Sequence, residues 1–170
     1  PRSTLFPYTT LFRSNLLHGV TGSGKTEIFI EIIKTVKKLG KCSIVLIPEI
    51  SLTSQIAGRF KQVFGDDMAL WHSQLSKSQR AKTWRDINDG TCKIVIGARS
   101  AIFSPVKNLG LIIVDEEHDS SYKQDSPSPR YHARDVAIMR SKIEKCTVVL
   151  SSATPSLETF YNYKLKKYNY

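Results

Sequence analysis

Apolar residues along the chain fall into two patterns. Six short runs are almost continuously apolar: NLLHG (Asn15–Gly19), SIVLI within Lys41–Ser51, MALW within Asp66–Ser73, CKIVIGA (Cys92–Ala98), LGLIIV ahead of Asp115, and TVVLSS (Thr147–Ser152). Rich in β-branched residues and bounded by Gly, Pro or acids, they read as strands buried on both faces. Between them lie segments with apolar residues every three or four positions, the helical period. These are EIFIEIIKTVKKL, then Ser51–Phe64 with Ser51 as its N-cap, then Ser76–Asp89, and a helix from about Tyr131 to Ile143. Strand alternating with helix predicts an α/β fold: a mostly parallel sheet with helices on both faces. The segment Asp119–Arg130 has two prolines and no apolar period, so it reads as a loop beside the end of the fifth strand. In open α/β sheets that edge carries the ligand.

The length of 170 residues suits one domain, and 41% hydrophobic with 24% charged residues is ordinary for a packed globular core. Lys and Arg number 25 against 15 Asp and Glu, a net charge of +10 that favours polyanionic partners, nucleic acid first among them. Cys42, Cys92 and Cys146 are far apart and form no CxxC pair, which argues against a disulfide framework or a zinc site and fits a reducing compartment. Each precedes or opens an apolar run, so all three read as small residues at strand starts. No apolar run approaches the length of a membrane span.

The amino-terminal stretch differs from the rest. Thr4–Ser14, TLFPYTTLFRS, resembles the translation of a common short-read sequencing adapter, so residues 1–14 are expected to be a dispensable, non-native leader. The alternative is a genuine edge strand or arm. Residues 15–160 are then expected to form the folded lobe.

Three strand ends carry the chemistry. Gly19–Thr26, GVTGSGKT, fits G-x-x-x-x-G-K-[ST], with a strand before it and a helix after it, as a phosphate-cradling loop requires. Gly19, Gly22 and Gly24 are expected to take positive φ and, with Val20, Thr21 and Ser23, to turn backbone N–H groups toward a triphosphate. Lys25 reaches the β and γ phosphates, and Thr26 holds Mg²⁺. LIIVDEEH places Asp115 where a carboxylate holds the same Mg²⁺, and Glu116 where it orients the attacking water. At the third end, hydroxyls of SSATPS (Ser151–Ser156) are placed to hydrogen-bond those acids.

GSGKT, DEEH and SAT together resemble motifs I, II and III of the superfamily-two helicases. PEISLT, WHS, GARSAIFSP, the stretch from DEEH to DVA, and SSATPSLET narrow the resemblance to the primosomal replication-restart DNA helicases, over about Leu16 to Thr159. It implies the first RecA-like lobe of a P-loop NTPase: an ATP- and Mg²⁺-dependent, 3′-to-5′ DNA helicase of the bacterial cytoplasm. That helicase acts on single-stranded and forked DNA with primosome and single-strand-binding proteins. The family's zinc site, amino-terminal DNA-binding regions, second lobe and arginine finger are expected to lie outside this chain, and from the same resemblance residues 161–170 are expected to begin a connection to that second lobe. The resemblance makes His118 with Ser152, Ala153 and Thr154 the coupling group. It offers Trp71, His72 and Arg99, and Tyr122, Lys123 and Arg130 in the loop, as DNA contacts; Trp71 reads equally well as core. Two other readings stay open, a small-molecule P-loop kinase and a nucleotide-binding module without turnover. Glu116 and the SAT turn favour the motor.

Overall fold

The computed structural model describes residues 14–20, 22–49, 51, 54–165 and 168–169. The expected adapter-derived residues 1–13 lie outside the described residues. Ser14, the last residue of that leader, opens the first strand.

The six apolar runs form β1 (Ser14–His18), β2 (Cys42–Leu46), β3 (Met68–Trp71), β4 (Ile94–Gly97), β5 (Leu109–Val114) and β8 (Thr147–Ser152). Each of these pairs only in parallel, and with the two-residue β9 (Tyr168–Asn169) they make one sheet in the order β3-β4-β2-β5-β8-β1-β9. The three cysteines stand at or just before β2, β4 and β8, and all are buried. Helices α1 (Lys25–Lys38), α2 (Ser54–Phe64), α3 (Lys77–Asn88) and α4 (Ala133–Ile143) fill the connections, and α5 (Leu157–Lys164) follows the last long strand.

Alternation along the strands puts successive side chains on opposite faces, and both faces are covered. Val45, Ile94, Ile96, Leu111, Ile113 and Val149 pack against Phe29, Ile30 and Ile33 of α1 and Phe60 and Phe64 of α2. Ile44, Leu46, Val95, Ile112, Val114, Val148 and Leu150 pack on the other face with Ile87 of α3, Ala133 and Ala137 of α4, and Tyr122. Each such Val, Ile or Leu contributes about 1.5–3 kcal/mol of burial, which explains why the strands carry no polar face.

Local chemistry departs from expectation at three places. Ser51 does not cap α2: the helix begins at Ser54, and the Ser51 N–H closes a turn onto the Pro48 carbonyl at 2.8 Å. The helix expected from Tyr131 starts at Ala133, because Tyr131–His132 form a short strand (β7) antiparallel to Lys123–Gln124 (β6). The loop Asp119–Arg130 is thereby folded back into a ribbon. His132 then caps α4, its Nδ1 accepting from the Arg134 N–H at 3.3 Å.

Candidate functional site

β1 runs straight into the glycine-rich loop, whose Gly19 N–H donates to the Ser152 carbonyl at 3.2 Å and ties the loop to the end of β8. Gly22 and Gly24 take φ of 79° and 85°, backbone that a side chain would strain. Gly19 is not a positive-φ position, contrary to expectation. Its constraint is space, since a Cβ there would lie 2.9 Å from Ser23 Oγ. Gly24 is the N-cap of α1, so the helix begins at Lys25 with its unpaired N–H groups and positive dipole end facing the loop. Val20 stands 70% exposed at the rim. Ser23 is exposed and Thr26 half-buried. Thr21 lies outside the described residues.

Lys25 is 8% exposed. Its Nζ donates to the Gly19 carbonyl at 2.8 Å and lies 3.3 Å from Glu116 Oε1. The ammonium thus bridges the loop to the acids at the end of β5. A reversal of the backbone makes that possible: Glu116 has φ 44°, a left-handed conformation rare for a residue with a side chain. Strain of this kind costs about 1–3 kcal/mol and persists where the surroundings enforce it. Here they do so on both sides. The Glu116 N–H donates to Asp115 Oδ1 at 3.0 Å, and the Glu117 N–H to the Ser151 carbonyl at 2.9 Å.

Ser151 Oγ also donates to Asp115 Oδ1 at 3.0 Å. Burial pushes the Asp115 carboxyl up, the Ser151 hydroxyl pulls it back, and the neighbouring Glu116 charge raises it again. Two carboxylates held together in a largely dry position, beside an ammonium and the start of a helix, form a donor set suited to a divalent cation and a polyphosphate.

His118 joins this strand end to the next. Its Nδ1 lies 2.7 Å from Ser152 Oγ and its Nε2 3.4 Å from Thr154 Oγ1, while the Thr154 N–H donates to Ser152 Oγ at 2.9 Å. The Ala153 carbonyl is 3.1 Å from Nε2 of His18, the last residue of β1. Of the residues expected to couple, His118, Ser152 and Thr154 therefore form one hydrogen-bonded cluster on the acidic strand end, and Ala153 ties it to the end of β1 through His18.

The residues offered for DNA separate. Trp71 is 8% exposed, its indole N–H donates to Ser100 Oγ at 3.1 Å, and it belongs to the core. Tyr122 is a second correction. It is fully buried, and its hydroxyl donates to the Asp115 carbonyl at 2.6 Å, so it supports the acidic turn from beneath. Arg99 donates from Nη1 to the carbonyls of Ser121 and Lys123, at 3.3 and 2.8 Å, and holds the ribbon in place. Of the six, His72 is half-buried, and Lys123 and Arg130 are exposed.

Sequence reasoning missed Glu117. The reversal that aims Glu116 at Lys25 turns Glu117 inward, where it is fully buried. Oε1 accepts from the Ser156 N–H at 2.7 Å; Oε2 accepts from Thr159 Oγ1 at 2.9 Å, Arg134 Nη1 at 3.1 Å and Ser156 Oγ at 3.2 Å. This carboxylate pins α4 and the first turn of α5 to the acidic strand end. In a run of acids at a strand end, nothing in the sequence separates the one that turns inward.

A family model described as DEAD/DEAH box helicase matches residues 3–162. Replication restart protein PriA of Chlamydia pneumoniae is 54% identical over 160 residues, which cover 94% of this chain and 21% of that protein. The protein of the same name from Bacillus subtilis is 57% identical over 145 residues, 85% of this chain and 18% of that protein. The chain spans about a fifth of the length of the curated relatives it matches. Among solved structures, the C-terminal domain of S. cerevisiae Dbp5 superimposes with a TM-score of 0.62 at 14% identity, covering 91% of this chain and 84% of that one. For T4 UvsW the TM-score is 0.57 at 18% identity, covering 82% of this chain and 26% of that one. At such identities the structural likeness speaks for the RecA-like fold alone.

Proposed function

The chain belongs to the DEAD/DEAH box helicase family, and on that premise we propose that it is the ATP-binding motor lobe of a 3′-to-5′ DNA helicase that acts in replication restart at stalled forks. One observation carries the reading: Lys25, Glu116, Asp115, Ser151, the adjacent Ser152 and His118 form a continuous set of contacts across the ends of three neighbouring strands. A mere binding loop needs no such continuity.

The division of labour follows from the positions. The loop N–H groups and Lys25 bind phosphate oxygens, and Lys25 exchanges its Glu116 contact for them. Thr26 and Asp115 would hold Mg²⁺, which supplies charge neutralisation at the phosphates. Glu116, released from Lys25, is free to orient water. His118 and the SAT turn pass the state of that acid to β8 and α5. Lys123, Arg130 and His72 are proposed to meet the phosphates of single-stranded or forked DNA. Primosome and single-strand-binding proteins as partners, and a place in the bacterial cytoplasm, belong to the same reading; among the described residues no helix is long and apolar enough to cross a membrane.

Turnover by this chain alone is expected to be very slow, because an arginine finger, worth about 10³–10⁵ in rate, is expected from a second lobe. The test grafts residues 15–165 in place of the matching segment of the Chlamydia pneumoniae relative. DNA-stimulated ATP hydrolysis by the graft, abolished by Glu116→Gln, is the expected result. A graft that binds ATP but never hydrolyses it would instead favour a nucleotide-binding module.

A further inference from the structure

The outer face of α3 carries a surface that none of the chemistry above uses. Trp84 is 43% exposed, and its ring lies 5.8 Å from that of Trp71 at a 53° tilt. Trp71 is itself immobilised by its hydrogen bond to Ser100, and Arg80 covers it with the guanidinium carbon 5.8 Å from the ring centre. Lys77, Arg80, Ala81, Trp84 and Arg85 share this face at helical spacing and, with Trp71, line an open cleft of about 610 Å³. The helix carries four cations, Lys77, Arg80, Lys82 and Arg85, and one acid, Asp86. Among the described residues none of the four is in an ion pair.

We propose that the Trp84 face of α3 is a subsite for single-stranded DNA, in which a base stacks on Trp84 and the flanking phosphates lie against Arg80 and Lys77. An exposed indole packed on a second ring and bordered within two turns by cations outside any ion pair, of which Arg80 also donates to the Ser73 carbonyl at 3.3 Å, suits stacking with backbone neutralisation. Charge alone would also suit an acidic peptide. The ring favours a base, because it presents a flat surface already braced by a second ring rather than a closed pocket. β3, which ends at Trp71, is an edge strand of the sheet, and its carboxyl end lies on the same side as the carboxyl ends that carry the phosphate loop and the acids. The subsite therefore extends a DNA path beyond His72, off the sheet and onto α3. This inference rests on the DNA reading above.

The chain has two tryptophans, so intrinsic fluorescence reports on this face directly. An oligothymidylate is titrated at low salt into the 170-residue chain, with anisotropy of a labelled oligonucleotide read in parallel. Binding with indole quenching is expected. Trp84→Ala should weaken binding roughly five- to a hundredfold, the range for loss of one stacked base, while Trp84→Phe retains most of it. Arg80→Ala should lower the slope of log affinity against log salt by about one. Binding of an ATP analogue should be the same in all three variants, which also shows that they are folded. Wild-type binding left unchanged by Trp84→Ala and Trp84→Phe would overturn the subsite and leave the DNA reading intact. No binding by wild type would defeat both. Equal quenching and displacement by an acidic peptide would make the face a peptide site and overturn the proposal.

Discussion

Replacing Glu117 by Gln removes one charge and almost no volume, so its cost measures the buried polar network rather than a cavity. Four donors converge on the two carboxylate oxygens: the Ser156 N–H and Oγ, Thr159 Oγ1 and Arg134 Nη1. An amide keeps one oxygen and turns an NH₂ toward donors, leaving at least one of them unsatisfied. Among the described residues Arg134, whose side chain is 12% exposed, then keeps only the exposed Asp135 carboxylate, 3.1 Å from Nε, as a charged partner. Breaking one side of a buried pair costs about 3–5 kcal/mol. With a urea slope of about 1–3 kcal/mol/M, the unfolding midpoint should fall by roughly 1–5 M. The control is the adjacent Glu116→Gln, which loses a 27%-exposed partner of Lys25, leaves the Lys25 bond to the Gly19 carbonyl in place, and should cost less. Urea melts followed by circular dichroism at neutral pH decide it. If Glu117→Gln costs no more than Glu116→Gln, the network does not brace α5 and the argument fails. Arg134→Met should cost less in the Glu117→Gln background than in wild type, since the stranded guanidinium is then gone.

Lys25→Ala should weaken binding of a fluorescent ATP analogue with Mg²⁺ at least about tenfold, a loss of about 1.4 kcal/mol, and unchanged affinity would refute the phosphate role. Gly97→Ala should destabilise by about 3 kcal/mol or more, because its Cβ would sit 2.0 Å from the Trp71 carbonyl oxygen, backbone that cannot swing away. Gly58→Ala, inside α2 with nothing within 4 Å, should stabilise by about 0.5–1 kcal/mol; thermal melts that reverse the order would contradict the packing. Burial raises the thiols of Cys42 and Cys92, and raises Cys146 to about 12. A raised thiol stays neutral as pH climbs through 8, so a disulfide reagent should label none quickly in the native chain and all three in denaturant; rapid native labelling would show that the strand starts open.

Elements and motifs were legible in the sequence because their causes are local. A continuous β-branched run can bury itself only as a central strand, apolar residues every three or four positions make a helix with one buried stripe, and a glycine pattern before a lysine records backbone that side chains would obstruct. Hence β8 was read to the residue, and Lys25, Thr26, Asp115 and Glu116 could be named with no knowledge of what lay beside them. Tertiary structure decided what neighbours what. The order β5-β8-β1 puts Ser151 on Asp115 and Ser152 against His118, although more than 30 residues separate each pair. The positive φ at Glu116 divides two adjacent glutamates between the phosphate site and the interior. Trp71 and Tyr122, which the resemblance offered to a nucleic acid, are covered by distant parts of the chain, and Trp84 is left exposed instead. Which way a side chain faces at the end of a strand depends on one backbone reversal and on what is packed over it. Neither leaves a period in the sequence.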